Sequence, residues 1–303
     1  MIFDKIFYKL FNNKKYKSGK FLRKNKEKLE FFKDYLEPEI KNIKSSLNKG
    51  EISFLHSGHL GDIVNSLSVI KELSKSHKCN LYLEINKKLE KDAIGYKNAN
   101  DKIYLNERLV NMLVPLLNEQ QYLNKVEKYQ RQQIDIDLNI FRKLPMNFNL
   151  DSIRWYFYIL GIQSDLSKNY LEVGDHPSLR NKIVIMRSTR RKNLFIDYKF
   201  MDKCGEEIYF IGLKEEYEDL KKDISKMKYY DCKDFLEAAQ IIKSSRFFIG
   251  NPSLGFAIAE ALKVPRLLES YPDFPVMYPN GGICYSFYFQ IHFEEFFNKL
   301  NER

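Results

Sequence analysis

The chain has 303 residues, 44% hydrophobic and 15% aromatic, with 13 Gly and 9 Pro, which excludes a disordered, collagen-like or low-complexity sequence. Its net charge is +10, but residues 1–50 carry 14 basic and 6 acidic side chains, leaving only +2 on the remaining body. A nucleic-acid-binding protein spreads positive charge along a groove of its body, so this distribution argues against a nucleic-acid partner. No apolar run approaches the roughly 20 residues that span a bilayer, and the length favours two domains over one compact core.

Ile2, Phe3, Ile6, Phe7, Leu10 and Phe11 recur at helical spacing as one apolar stripe. From Lys5 to Lys28 there are ten basic residues and one acid, Glu27. Such a helix suits an anionic membrane surface, or equally a solvated helix packed on its own protein. Lys5 and Lys9 interrupt the stripe and no small-residue cleavage site follows, so a secretory signal is not expected. Four cysteines, at 79, 204, 232 and 284, form no C-x-x-C pair, and the five histidines form no H-x-x-x-H face. Reduced thiols in a cytoplasmic protein, with no cofactor and no metal, are the expectation.

Ile52 to Leu55 reads as a strand, His56 to Gly61 as a glycine-containing turn, and Asp62 to Leu73 as a helix. A second strand follows at Asn80 to Ile85. The pattern then predicts a helix over 105–129, a strand over 134–140 and a helix over 151–160, with a linker through 161–181. The second half restarts with a strand over 182–186, a basic loop over 187–193, and a strand over 208–211 ending at Gly212. Helices over 214–226 and 234–244 lead to a strand over 246–249, the loop 250–253, a helix over 254–262 and a strand over 264–268. Alternation of this kind in both halves predicts an α/β protein with two doubly wound, Rossmann-like domains facing a cleft, behind a basic helical N-terminal extension. The divisions are 1–50 for the extension, 51–175 for the first domain and 181–303 for the second.

Three loops carry candidate chemistry. Gly58, His59 and Gly61 surround Asp62, a carboxylate at a helix start: it serves either as a cap or as a base exposed on a rigid turn. Arg187, Ser188, Thr189, Arg190, Arg191 and Lys192 follow a strand, offering planar forks and short hydroxyl donors that suit a diphosphate. Asn251, Ser253 and Gly255 lead into a helix whose first N–H groups form an anion site. Glu260, inside that helix, is either a ligand for ribose or sugar hydroxyls or an outward residue. The loop from His56 to Asp62 fits neither a P-loop nor a G-x-G-x-x-G fingerprint. Asp135 and Asp137 form a D-x-D pair in an alternating strand pattern, a weak metal candidate.

Ser57-Gly58-His59-Leu60-Gly61-Asp62-Ile63 and the apolar helix after it resemble the family-nine, heptosyltransferase-type glycosyltransferases of the GT-B fold, as does Phe248-Ile249-Gly250-Asn251-Pro252-Ser253 with Ala257 to Pro265. The resemblance spans about residues 51–270. It implies inverting, metal-independent transfer of a sugar from a nucleotide-sugar donor to a glycan or lipid-linked acceptor, as in surface glycan or lipopolysaccharide-type assembly. Asp62 would match the general base, and Ser188, Thr189 and their basic neighbours the pyrophosphate loop. The family carries an Asp-Thr/Ser-Gly element and a nearby His where this chain has Asn251-Pro252-Ser253 and Phe256, so ADP-heptose is not implied as donor. A nucleotide-sugar epimerase of the same fold and a non-catalytic binding protein are the alternatives.

Overall fold

The computed structural model describes residues 9, 11–89, 103–144, 151–273 and 275–303. The apolar stripe at positions 2, 3, 6, 7 and 10 therefore lies outside the described residues. Helix α1 (Asn13–Phe31) runs through a π-helical turn (Phe32–Leu36) into α2 (Glu37–Ser46). Asn12 starts it, its side chain accepting from the Lys15 N–H at 3.0 Å. No residue of α1 is buried, whereas Leu36 and Ile43 join the core.

The first half is a four-stranded sheet of β1 (Glu51–His56), β2 (Lys78–Leu83), β3 (Lys125–Lys128) and β4 (Ile136–Asp137), in the order β3-β2-β1-β4 and all parallel. Ile52, Phe54, Leu81 and Leu83 are fully buried, as strands covered on both faces require. Helix α3 (Leu60–Leu73) crosses from β1 to β2, and α4 (Glu107–Asn118) precedes β3. The chain departs from the expected long helix and long strand here. After α4 it turns into β3, and β4 has only two residues before a 3-10 segment (Leu138–Lys143) takes over. Helix α5 (Ile153–Leu160) ends at Gly161, whose φ of 66° suits the left-handed closing turn.

The second half contains β5 (Ile183–Met186), β6 (Ile208–Ile211), α6 (Lys214–Leu220), β7 (Lys228–Tyr230) and α7 (Phe235–Ser244). Then come β8 (Phe247–Gly250), α8 (Leu254–Leu262), β9 (Arg266–Glu269), β10 (Cys284–Phe287) and α9 (Gln290–Asn301). All six strands are parallel, ordered β10-β9-β8-β5-β6-β7. Numbered within this half, the order is that of a six-stranded Rossmann sheet, reversing between β5 and β8. The expected helix over 214–226 stops at Leu220, and the chain turns into β7 instead.

The sheets do not face one another across an open cleft along their length. Helix α3 packs on α8 and α4 on α7, so one apolar core runs from Ile63 and Leu67 through Ala257 and Ile258. Among the described residues no helix is long and apolar enough to cross a membrane.

Candidate functional site

Ligands of open parallel sheets sit outside the strand carboxyl ends where the strand order reverses. In the first sheet that point lies between β1 and β4, which brings the turn 57–61 beside the segment 138–143. In the second it lies between β5 and β8, which brings 187–193 beside 251–253. All three loops singled out by the sequence are therefore at reversal points.

Asn139 Oδ1 accepts from the backbone N–H and hydroxyl of Ser57, at 2.9 and 2.7 Å, and from Arg142 Nη1 at 2.7 Å. Arg142 Nη2 donates to the Gly58 carbonyl and stands 3.7 Å from Asp62 Oδ2. Its guanidinium is sandwiched by Tyr104 and Phe141, 4.2 and 4.5 Å from the ring centres. Gly58 has φ 97°, and a Cβ there would meet the Tyr104 carbonyl oxygen and Leu105 Cβ at 3.2 Å each. Gly61 differs: a Cβ would meet Ala257 Cβ at an ordinary 3.8 Å.

Behind the turn lies a buried relay. His56 is held neutral, its basicity pushed well down by burial and then by the Arg142 charge. Its Nδ1 accepts from the Gly58 N–H at 3.0 Å, so the ring proton is on Nε2, 2.9 Å from the Tyr156 hydroxyl. Tyr156 in turn donates to the Asp62 carbonyl at 3.0 Å.

Asp62 is the third residue of α3, not its N-cap; His59 holds the cap position, and its side chain makes no capping hydrogen bond to the helix start. The carboxylate reaches back to the His59 N–H, one half of a capping box. Its side chain is 19% exposed. Burial raises its pKa above the ordinary carboxylate value, against the opposing charge of Arg142 and a smaller contribution from Arg191. His59 is pushed down to about 3 by burial, then by Arg142, Arg190 and Arg191. Cations of the second half thus act on the Asp62 turn across the seam.

The second-half residues divide. Arg187 turns inward: Nε and Nη2 donate to Glu269 at 2.6 and 2.8 Å, and the two side chains are 4% and 0% exposed. Tyr198 Oη and the Asn193 N–H complete the shell of Glu269 at 2.8 and 2.6 Å. The expected diphosphate contact is corrected, because this guanidinium neutralises a buried carboxylate. Glu260 is corrected likewise. It is buried beside Lys263 and accepts from Arg266 Nε at 2.7 Å, so it neither faces solvent nor offers itself to a sugar. Asn251 is fully buried and clamps Ser188, accepting from its N–H at 2.9 Å and donating to its carbonyl at 2.7 Å. Thr189 N–H donates to Glu216 Oε1 at 3.2 Å, and Lys192 pairs with Asp219 at 2.8 Å. Gly212, with φ 134°, ends β6 and accepts from the Tyr229 hydroxyl at 2.9 Å. Arg190 and Arg191 remain on the seam side of the loop, Arg191 lying 5.3 Å over the Tyr271 ring.

Ser253 caps α8 and its buried hydroxyl has no hydrogen-bond partner. Gly255 lets α8 press on the end of β5, since a Cβ there would come within 2.9 Å of Met186 Cβ. Helix α8 thereby presents its first N–H groups beside the basic loop. Phe256, where the resembled family would carry a His, is fully buried core. Asp135 accepts from the Ser53 N–H at 2.9 Å and pairs with Lys49, and Asp137 accepts from the Asn139 N–H at 2.9 Å. Both carboxylates of the D-x-D pair therefore have structural partners, and among the described residues no group of three or more His, Cys, Asp or Glu is arranged to hold a metal.

Sequence reasoning missed Arg142, Asn139, Tyr104, Tyr156 and Glu269. The one available signal was position, and for Arg142 alone: it follows the expected strand over 134–140, whereas Asn139 lies inside that expected strand and clears it only because β4 ends at Asp137.

No protein-family model and no curated protein matches the chain. Among solved structures, a family 9 glycosyl transferase from Veillonella parvula is similar with a TM-score of 0.56 at 11% identity, over 85% of this chain and 90% of that one. The E. coli heptosyltransferase WaaC, solved with ADP, is similar with a TM-score of 0.50 at 9% identity, over 82% of this chain and 99% of that one. At such identities the likeness is one of architecture, and the fold of this chain is that of the heptosyltransferase-type glycosyltransferases.

Proposed function

We propose that the protein is an inverting glycosyltransferase that moves a sugar from a nucleotide-sugar to an acceptor hydroxyl. The observation that carries the proposal is that the basic loop of the second half reaches the Asp62 turn: the Asp62 carboxylate, its pKa raised by burial, feels the charge of Arg191, and the neighbouring His59 feels those of Arg190 and Arg191. Residues 51–175 would hold the acceptor and 181–303 the donor. Asp62 takes the acceptor hydroxyl proton as its oxygen attacks the anomeric carbon; the bond to the nucleotide diphosphate breaks, and that group leaves carrying the negative charge. Arg190, Arg191, the Ser253 hydroxyl and the N–H groups opening α8 meet that charge, so the chain itself supplies the electrostatic stabilisation that a metal ion provides elsewhere. A base with a raised pKa holds a proton more strongly, which favours transfer from an alcohol. Arg142 and the His56–Tyr156 relay hold the turn so that Asp62 needs no reorganisation.

The Asn251 and Phe256 departures, which would suggest a non-catalytic relative, both have structural roles: one clamps the basic loop and the other fills the core. The acceptor is a glycan or lipid-linked precursor handled at the cytoplasmic side. The test is a panel of nucleotide-sugars followed by thermal shift and by hydrolysis or transfer. Stabilisation by at least one donor, with turnover that requires Asp62, supports the assignment; no response to any donor removes it.

A further inference from the structure

Helix α1 has a composition that its own fold does not use. It carries eight cations, Lys14, Lys15, Lys17, Lys20, Arg23, Lys24, Lys26 and Lys28, against Glu27 and Glu30, and none of its residues is buried. Yet it is not uniformly polar. Phe21 is 64% exposed, Leu22 63% and Leu29 52%, and Phe32 just beyond its end is also exposed. At about 100° per residue these four fall within an arc of ~100°, one apolar stripe on a cationic rod. Folding leaves that stripe in water, while the following segment buries Leu36 and Ile43 in the core.

We propose that α1 is a membrane-docking helix that lays Phe21, Leu22, Leu29 and Phe32 into the headgroup region of an anionic bilayer, with its lysines on lipid phosphates. Charge selects the partner. A second copy of α1 would bring six net positive charges against six, whereas an anionic leaflet is complementary, and exposed aromatic and aliphatic side chains have somewhere to go only in a lipid surface. The stripe lies further along the chain than the one at positions 2–11 suggested by sequence alone.

The helix is rooted beside the candidate site. Tyr35, in the turn between α1 and α2, accepts from Lys143 Nζ, and the ammonium lies 4.8 Å from its ring centre. Lys143 adjoins Arg142, which holds the Gly58 carbonyl next to Asp62. Docking through α1 therefore sets the acceptor half, not the donor half, against the membrane. Under the transferase assignment, on which this last point rests, the acceptor is anchored in the same leaflet.

The experiment sediments the full-length protein with sucrose-loaded vesicles of 30% phosphatidylglycerol in phosphatidylcholine, and with pure phosphatidylcholine. Because each cation near an anionic surface is worth about 1 kcal/mol, a Lys17→Gln/Lys20→Gln/Lys24→Gln variant should bind about a hundredfold more weakly. A Phe21→Ser/Leu22→Ser/Leu29→Ser variant should lose binding that persists at high salt. Both should melt like wild type, since no α1 side chain is buried. Pelleting with anionic vesicles that follows both variants supports the proposal. Three results would overturn it: no pelleting, pelleting unaffected by either variant, or tight binding to duplex DNA with none to vesicles. Vesicle binding is measured without turnover, so its failure leaves the transferase assignment intact, and the reverse also holds.

Discussion

Replacing Arg187 by Met tests whether that arginine is a wall of the site or a ligand of the donor. In the structure its guanidinium makes a two-bond fork with Glu269, both side chains fully enclosed. Met fills similar volume but leaves Glu269 with the Tyr198 hydroxyl and the Asn193 N–H as its remaining donors. Breaking a buried pair by removing one partner costs about 3–5 kcal/mol, because the other charge stays behind. For a chain of this length unfolding entropy is roughly 0.6 kcal/mol per kelvin, so Tm should drop by about 5–8 °C. Arg187→Met/Glu269→Leu should recover more than half of the loss, since the orphaned charge is gone. The assay is a thermal melt by circular dichroism, paired with calorimetric titration of whichever nucleoside diphosphate the wild type binds. An unchanged melt with affinity down tenfold or more would refute the structural assignment and return Arg187 to the diphosphate.

Asp151 closes the seam between the halves, accepting from Asn280 Nδ2 at 3.2 Å, and burial pushes its pKa up to about 6. A raised native pKa means the native state binds its proton more tightly than the unfolded chain does, so the stabilisation is full below about pH 4 and lost as pH rises through about 6. Asp151→Asn should accordingly raise stability by about 3 kcal/mol at pH 7–8 and leave it unchanged near pH 4, measured by urea melts across that range; equal effects at both pH values would contradict the cause given. Gly58→Ala places a Cβ against the Tyr104 carbonyl at positive φ and should destabilise by about 1–3 kcal/mol, whereas Gly61→Ala, with only ordinary contacts, should melt within about 1 °C of wild type. Equal melts for the two variants would show that the turn does not depend on the left-handed glycine.

What was legible in the chain follows from what each residue needs. Ile52 to Leu55, Ile183 to Met186 and Ile208 to Ile211 are apolar on both faces and read as strands without help. The edge strands β3 (Lys125–Lys128) and β7 (Lys228–Tyr230) are short and polar, because an edge needs only one covered side; β3 is therefore absorbed into the expected helix over 105–129, and β7 falls in the stretch between two expected helices where no element is expected. The three site loops were visible from glycine, charge and position after a strand. Their division of labour was not. Arg187 and Glu269 are 82 residues apart, and only the sheet order brings them together; Asn139 and Arg142 reach the Asp62 turn only because β4 lies beside β1. A basic loop states that cations are available, and the fold decides which of them are spent inward.

The central claim concerns the proton acceptor, and the direct measurement is the turnover of Asp62→Asn against its nucleotide affinity and its melt. Because burial raises the Asp62 pKa, the ionised carboxylate is disfavoured in the native state, so the amide should melt at the same temperature as wild type or higher at pH 7. Transfer should fall about 10²–10⁴-fold while nucleoside diphosphate binding holds within twofold. The wild-type kcat/KM should decline on the acid side through a pKa above the ordinary Asp value of 3.8, and that limb should be absent from any residual activity of the variant. Undiminished transfer by a folded Asp62→Asn protein would show that this carboxylate only reaches back to its own helix start, and that the chemistry is carried elsewhere.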